Sequence, residues 1–379
     1  MKRTFTGLLA ATLTASMLVG CGTSSTAATT SSSTDSGSAS TEEAKSYTLN
    51  VSGINGSLNF LPIYIAEQEG TLDAANITIE ETLFTNGPVQ MESLAADGWD
   101  IGFTGVGGVF AGVLGYDAVL LGSTNTDDGT QYIFARNDSD IVQAGTGHNT
   151  LSDKIYGTAE TWKGKQILCN TGAVTQYVMN KTLEGFGLTG DDVTYVAMDP
   201  ATAYSAFTAG EGDVCVLTGS GGTFKMEAQT DKYTAVSSGP LADSGLMCSI
   251  VANKNSYEDP EKREAMVALL KVYFETTAWM QEHPDETLKY ALDYSDEAGN
   301  SMDEETEKNY ITADTYYTLD EAVAMMKDKA DGSDNTVIDQ RLVDVLNFFI
   351  AAGSYDDGSV EKFLGHTDSS VLEEVQAAK

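Results

Sequence analysis

Asp100-Ile-Gly-Phe-Thr104-Gly-Val-Gly-Gly108 and Asp213-Val-Cys-Val-Leu-Thr218-Gly-Ser-Gly-Gly222 are one phrase written twice: an acid, a short apolar run and a Thr-Gly-x-Gly-Gly turn. The residues ahead of each phrase repeat one grammar as well. Segments 47–52 and 165–169 read as strands, and each runs into a loop of small or polar residues, 53–59 and 170–175. Helical stretches follow at 62–69 and 176–185, then second strands at 77–83 and 193–197. The next helices open at Gly87-Pro88 and Asp199-Pro200. Proline suits a first helical position because its missing N–H would have no partner there, and Asp199 suits the N-cap. Strand, loop, helix, strand, helix, strand is the order of a parallel α/β layer, and its repetition implies two similar lobes. Open parallel sheets bind ligands beyond the carboxyl ends of their strands, so the two Thr-Gly turns are expected to face a shared cleft.

Segments 130–135 and 246–252 are expected to carry the chain out of the first lobe and back, with hinges near Ala135 and Ile250. This assigns residues 46–134 plus 250–379 to one lobe and 135–249 to the other. Helices should then follow. Met266, Leu269, Leu270, Tyr273, Thr277 and Met280 recur at helical spacing after Asp259-Pro260, and Leu342, Val345, Leu346, Phe349 and Ile350 cluster within 337–352. Both stripes read as core. The stretch beyond about residue 300 carries no readable role.

The amino-terminal segment reads as an export signal. Lys2 and Arg3 precede an apolar run, 8–18, too short to span a bilayer. Leu18-Val19-Gly20-Cys21 resembles the lipobox of bacterial lipoproteins, which implies cleavage after residue 20 and lipidation of Cys21. Residues 21–45, rich in Ser, Thr, Ala and Gly, read as a flexible tether with an r.m.s. span of roughly 25–30 Å. The expected location is extracytoplasmic, anchored to the outer face of the cell membrane.

The chain holds 56 acidic and 21 basic residues, a formal net charge of −35. That field repels nucleic acid and anionic lipid surfaces. Cys169, Cys215 and Cys248 each sit inside an apolar strand-like run, without CxxC spacing, and read as small buried hydrophobes. His148, His283 and His366 are scattered, so no metal and no cofactor is expected.

Phe60-Leu-Pro-Ile-Tyr64-Ile-Ala66-Glu-Gln-Glu-Gly70, then Met91-Glu-Ser-Leu-Ala95-Ala-Asp-Gly98-Trp-Asp100-Ile-Gly102-Phe, resemble the aliphatic sulfonate/nitrate/taurine substrate-binding proteins of ABC importers, a family with a thiamine-pyrimidine precursor branch. Trp162-Lys-Gly-Lys165 followed by 203–213 resembles that family's second-lobe signature, and the likeness spans roughly 47–285. The resemblance implies a type II periplasmic-binding-protein fold, an α/β pair of lobes that closes on a solute at a hinge. It also implies an ABC permease with its ATPase as partners, and a monomeric binding protein. Carried over by position, ligand contacts fall on Asn55, Ser57, Asn59 and Phe60; on Thr104 and Gly105; on Thr171, Gly172, Ala173, Thr175 and Gln176; and on Thr218, Gly219 and Ser220. Asn125 and Asp243, near the expected hinge, complete the set.

The 171–175 turn should offer backbone N–H groups at a helix start, which favours an anionic oxygen, although ordinary capping reads equally well there. Past the leader the arginines are Arg136, Arg263 and Arg341, and none falls in the expected binding loops. Carboxylate binders commonly use a bidentate guanidinium clamp, so a sulfonate held by N–H groups or an uncharged heterocycle such as a pyrimidine ranks higher. Asp127, Asp128 and Asp243 could pair with a ligand amine. An enzyme of the same fold and a surface sensor are the competing classes. Against the enzyme, the chain carries no GxSxG turn, cysteine cluster or paired-histidine site.

Overall fold

The computed structural model describes residues 45–378. The leader and Cys21 therefore lie outside the described residues. In chain order the strands are β1 (Tyr47–Ile54), β2 (Ile77–Phe84), β3 (Ile101–Thr104), β4 (Val119–Thr126), β5 (Tyr132–Arg136), β6 (Gln166–Cys169), β7 (Thr194–Ala197), β8 (Val214–Leu217), β9 (Tyr233–Ser238) and β10 (Met247–Ala252). They form two five-stranded sheets, ordered β2-β1-β3-β10-β4 and β7-β6-β8-β5-β9. The orders superimpose: β1 answers to β6, β2 to β7, β3 to β8, β10 to β5 and β4 to β9. The first three strands of each sheet are parallel, and the fourth runs antiparallel to both neighbours.

Each fourth strand is laid down immediately after the chain leaves the other sheet. The crossings are therefore residues 127–131, between β4 and β5, and 239–246, between β9 and β10. Ala135 and Ile250, expected as hinges, lie inside β5 and β10 and are paired on both sides. Their apolar runs are strands of the receiving sheet, whereas the turns that change sheet are the short Asp- and Gly-rich segments ahead of them. This moves residues 132–134 into the second sheet and 247–249 into the first.

The acid that opens each repeated phrase has a physical task. Asp100 Oδ2 accepts from the Asn50 N–H at 2.8 Å, and Asp213 Oδ2 accepts from the Gln166 N–H at 2.8 Å. Each thereby locks β3 against β1, or β8 against β6, at its first residue. Asp100 is also buried, paired with Lys262 at 2.8 Å and bonded by the Ser256 hydroxyl at 2.7 Å. Helices Pro260–Glu282, Leu319–Lys327, Val337–Ala351 and Ser370–Ala377 complete the first lobe. They bury the expected stripe, Met266, Leu269, Leu270 and Tyr273 of one and Leu342, Val345 and Leu346 of another.

Removing Asp100 takes the partner from the Asn50 N–H and leaves Lys262 with Thr48 O at 3.1 Å, whereas exposed Asp213 has water as a substitute. Asp100→Ala is expected to lower stability by roughly 2–3 kcal/mol and Asp213→Ala by less than about 1 kcal/mol. Thermal unfolding of the two variants side by side measures the difference.

Candidate functional site

The loop after β1 is held in an unusual way. Four consecutive carbonyls accept from four tyrosine hydroxyls: Gly56 O from Tyr310 at 3.2 Å, Ser57 O from Tyr294 at 3.2 Å, Leu58 O from Tyr316, and Asn59 O from Tyr273 at 2.9 Å. In a trans peptide the N–H points opposite to the C=O, so fixing these carbonyls also fixes the direction of the N–H groups. Asn55 is drawn outward, its Nδ2 donating to Ala298 O at 3.0 Å. Phe60 is fully buried, edge-on to Phe103 at 5.9 Å, and so acts as core. Asn59 is fully buried as well.

At the end of β3, Thr104 is buried with its hydroxyl wedged against the start of the next helix. A Cβ at Gly108 would stand 1.9 Å from Thr104 Oγ1, so only glycine permits that approach. Gly105 faces the first crossing: a Cβ there would lie 3.0 Å from Asp127 Oδ2. At the end of β8, the Thr218 hydroxyl accepts from Gln131 Nε2 at 2.7 Å, and the Gly219 N–H donates to Thr130 Oγ1 at 3.2 Å. Both Thr-Gly turns thus abut the same five-residue crossing, 127–131, one at each end.

The crossing is acidic and enclosed. Burial, then the neighbouring Asp314 and Asp128 carboxylates, push Asp127 up to about 7. Burial chiefly raises Asp128 to about 6, against a 2.7 Å hydrogen bond from the Ser244 hydroxyl and the charge of Arg341. Asp314, raised mainly by burial, accepts with Oδ1 from the N–H groups of Asp128 at 3.1 Å and Gly129 at 2.9 Å and from the Thr126 hydroxyl at 3.0 Å. Asn125 is buried beside this group, its Nδ2 turned onto Thr126 O at 2.6 Å. Cys248 of β10 bonds Asp127, and burial lifts its thiol well above the ordinary range.

Several buried polar atoms here lack a hydrogen-bond partner among the described residues: Asn59 Nδ2 and Oδ1, Thr104 Oγ1, Ser249 Oγ and Gln131 Oε1. They belong to the first loop, β3, β10 and the crossing. Among the helices that start at this edge, those beginning after Gly105, Ala173 and Gly219 have no side-chain cap, whereas Asn86 and Asp199 cap the helices that follow β2 and β7.

Other expected contacts are satisfied locally. Thr175 Oγ1 donates to Asn170 O at 2.9 Å, and Gln176 Oε1 accepts from the Gly172 N–H at 2.7 Å, so neither side chain joins the crossing cluster. Thr171 lies partly buried in the same turn, and Ser220 opens the helix Ser220–Glu227. Asp243 is exposed at φ 47° and lines a separate groove with Tyr177, Lys181 and Arg341. Two of the three arginines are occupied elsewhere, Arg136 on the carbonyls of Gly212, Phe207 and Glu211 and Arg263 on Glu374 at 2.6 Å, while Arg341 lies close enough for its charge to lower Asp128. Sequence reasoning missed Tyr273, Tyr294, Tyr310, Tyr316 and Asp314. Tyr273 was visible as part of a core stripe, but nothing local tells a core tyrosine from one whose hydroxyl fixes a loop more than 200 residues away.

Residues 57–287 match the NMT1/THI5 like family, and the chain belongs to it. A Brachyspira hyodysenteriae protein named as an ABC transporter periplasmic binding protein is 23% identical over 264 residues, covering 70% of this chain and 74% of its own length. A Bacillus subtilis protein named as an aliphatic sulfonates-binding protein is 27% identical over 254 residues, 64% of this chain and 69% of that one. Among solved structures, the periplasmic aliphatic sulphonate binding protein SsuA of Escherichia coli aligns with a TM-score of 0.63 at 16% identity, over 84% of this chain and 92% of that one. That likeness establishes the two-lobed periplasmic-binding-protein fold.

Asp127 binds its proton more tightly in the folded chain than in the unfolded one, where it titrates near about 3.9. Its contribution to stability is therefore complete in acid and lost as pH rises toward 7. Melting temperature is expected to fall from about pH 4 to pH 7 and to level off above, and Asp127→Asn to flatten that fall by up to about 1.4 kcal/mol per pH unit. A melting series across pH for both proteins reads this directly.

Proposed function

We propose that this protein captures a small polar organic solute between its two lobes and delivers it to an ABC permease driven by its ATPase. In this reading it works outside the cytoplasm, tethered through lipidated Cys21 as a monomer, and binds its solute without turning it over. The observation that carries the reading is the set of partnerless polar atoms on Asn59, Thr104, Ser249 and Gln131. A buried polar group left unpaired costs about 1–3 kcal/mol, and a binding site is where that cost has a purpose. The names of the relatives support the importer assignment.

The chemistry of the cleft narrows the solute. Asp127 is a carboxylate that takes up a proton near neutrality, and it stands beside the Asp314 and Asp128 carboxylates and the Cys248 thiol rather than a guanidinium. A solute that offers a nitrogen donor to Asp127 satisfies this site; an amino-substituted pyrimidine and a taurine-like zwitterion both do so. A simple alkanesulfonate is the second reading, favoured by the uncapped helix starts at Gly105, Ala173 and Gly219.

The two readings separate by sign. Binding of a protonated amine or N–H donor should tighten as pH rises through about 7, by up to about tenfold per unit, because it prefers ionised Asp127. Binding of ethanesulfonate should weaken over the same range. Thermal-shift screening with aminopyrimidines, taurine, ethanesulfonate, nitrate and simple amines, followed by calorimetry across pH, is the test. A true solute at 100 times its dissociation constant adds about 2.7 kcal/mol to stability. Asn59→Ala should weaken binding about 3–10-fold. No stabilisation by any of these solutes, or none found co-purified by native mass spectrometry, would remove the reading, and so would chemical conversion of a bound solute.

A further inference from the structure

The segment 304–317 lies beyond the family match, which ends at residue 287, yet it touches the first crossing, the loop after β1 and the edge of β4. Its helix, Glu304–Ala313, places the Tyr310 hydroxyl on Gly56 O at 3.2 Å, in the first-lobe loop. Tyr316 reaches Leu58 O in the same loop. Asp314 binds the N–H groups of Asp128 and Gly129 in the crossing, and the backbone joins the edge of β4 through Thr126 N–H to Thr315 O at 3.0 Å and Tyr317 N–H to Thr124 O at 2.9 Å. The contact with the crossing is backbone on backbone: a Cβ at Gly129 would stand 1.9 Å from Ala313 O. The far face of the helix meets the second lobe across a cavity of about 370 Å³ lined by Tyr132, Phe224, Glu227, Glu305, Asn309 and Thr312.

We infer that residues 304–317 form a strap that couples the hinge to the solute loop, with Asp314, Tyr310 and Tyr316 as its positioning residues. The mechanical logic follows from the bonds. Asp314 holds the crossing, and Tyr310 and Tyr316, four residues before it and two after, hold the loop. A rotation of the second lobe that bends 127–131 must displace Asp314 and loosen its own strap-mates from carbonyls 56 and 58. Loop order and lobe closure therefore rise and fall together. Glu307, buried in the same helix with only one of its oxygens bonded, by the Ser295 hydroxyl at 3.1 Å, adds a carboxyl held neutral up to about 7 by burial and by Asp296. The inference rests on the lobes being a closing pair, but it does not depend on which solute they take.

Hydrogen exchange of the full chain without added solute tests it. Asp314→Ala is expected to raise exchange of the 128–131 amides tenfold or more and, at a distance, to raise exchange across 56–60, with small-angle scattering shifted toward a longer maximum dimension. Asp314→Asn keeps a carbonyl acceptor and should restore most of the protection at both places. Gly129→Ala, which expels the strap sterically, should reproduce the Asp314→Ala pattern. If Asp314→Ala fails to fold, Tyr310→Phe replaces it: faster exchange must then appear at 128–131 as well as at the loop. Exchange that rises only where the substituted group makes contact would overturn the coupling while leaving solute capture intact. Failure of every solute in the thermal screen would do the reverse.

Discussion

Four tyrosine hydroxyls on four consecutive carbonyls hold the site together. Residues 56–59 form a glycine-containing loop and a single 3-10 turn that could adopt many conformations on its own. The tyrosines come from three helices and an extended segment spread over residues 273–316, so the loop's shape is dictated by the carboxyl-terminal part of the chain. Tyr273 stacks on Phe103 at 4.9 Å, and Tyr294 packs against Tyr64 at 5.1 Å, which ties the hydroxyls to the core of the first lobe. Each bond is worth about 1 kcal/mol net, but together they remove much of the loop's conformational freedom.

The strongly acidic surface and the enclosed acids near the crossing are different problems. Outside, like charges are dispersed and hydrated, and they mainly keep the protein soluble. Inside, Asp127, Asp128 and Asp314 crowd one short segment, and the protein manages this by partial protonation and by bonds from N–H groups and hydroxyls rather than by cations. The charge of Arg341, together with the Ser244 hydrogen bond, lowers Asp128 against the effect of burial. The crossing is thus poor in fixed positive charge and held by neutral donors.

The duplicated phrase made the two-lobed layout legible because its signals are local: an acid at a strand start, apolar strand, glycine turn, proline-led helix. The order of those elements repeats in both sheets. Less legible was where the chain changes sheet. The runs at 130–135 and 246–252 look like connectors by position, but only 130–131 and 246 lie in the crossings while 132–135 and 247–252 pair in their sheets, and pairing partners are fixed by tertiary packing that no local pattern records. The site was half readable. Thr104 and Thr218 stand at the ends of β3 and β8, where glycine turns announced them, and Asn59 in the 3-10 turn that follows β1, while Thr175 and Gln176 spend their polar atoms on their own turn. Tyr310, Tyr316 and Asp314 left no mark, because a residue that acts across the fold looks like any other in an amphipathic tail.

The exchange of fourth strands has a consequence for how the molecule comes into being. Between β3 and β4 the first sheet has a vacant place that only β10 can fill, and β10 begins at Met247, after the whole second sheet has been made. A chain emerging from its amino terminus can therefore finish the later-numbered sheet before the earlier one. Until that late strand arrives, β3 and β4 present unpaired inner edges, the kind of surface that sticks to other chains. The second sheet can thus close before the first, although β1 to β4 come earlier in the chain.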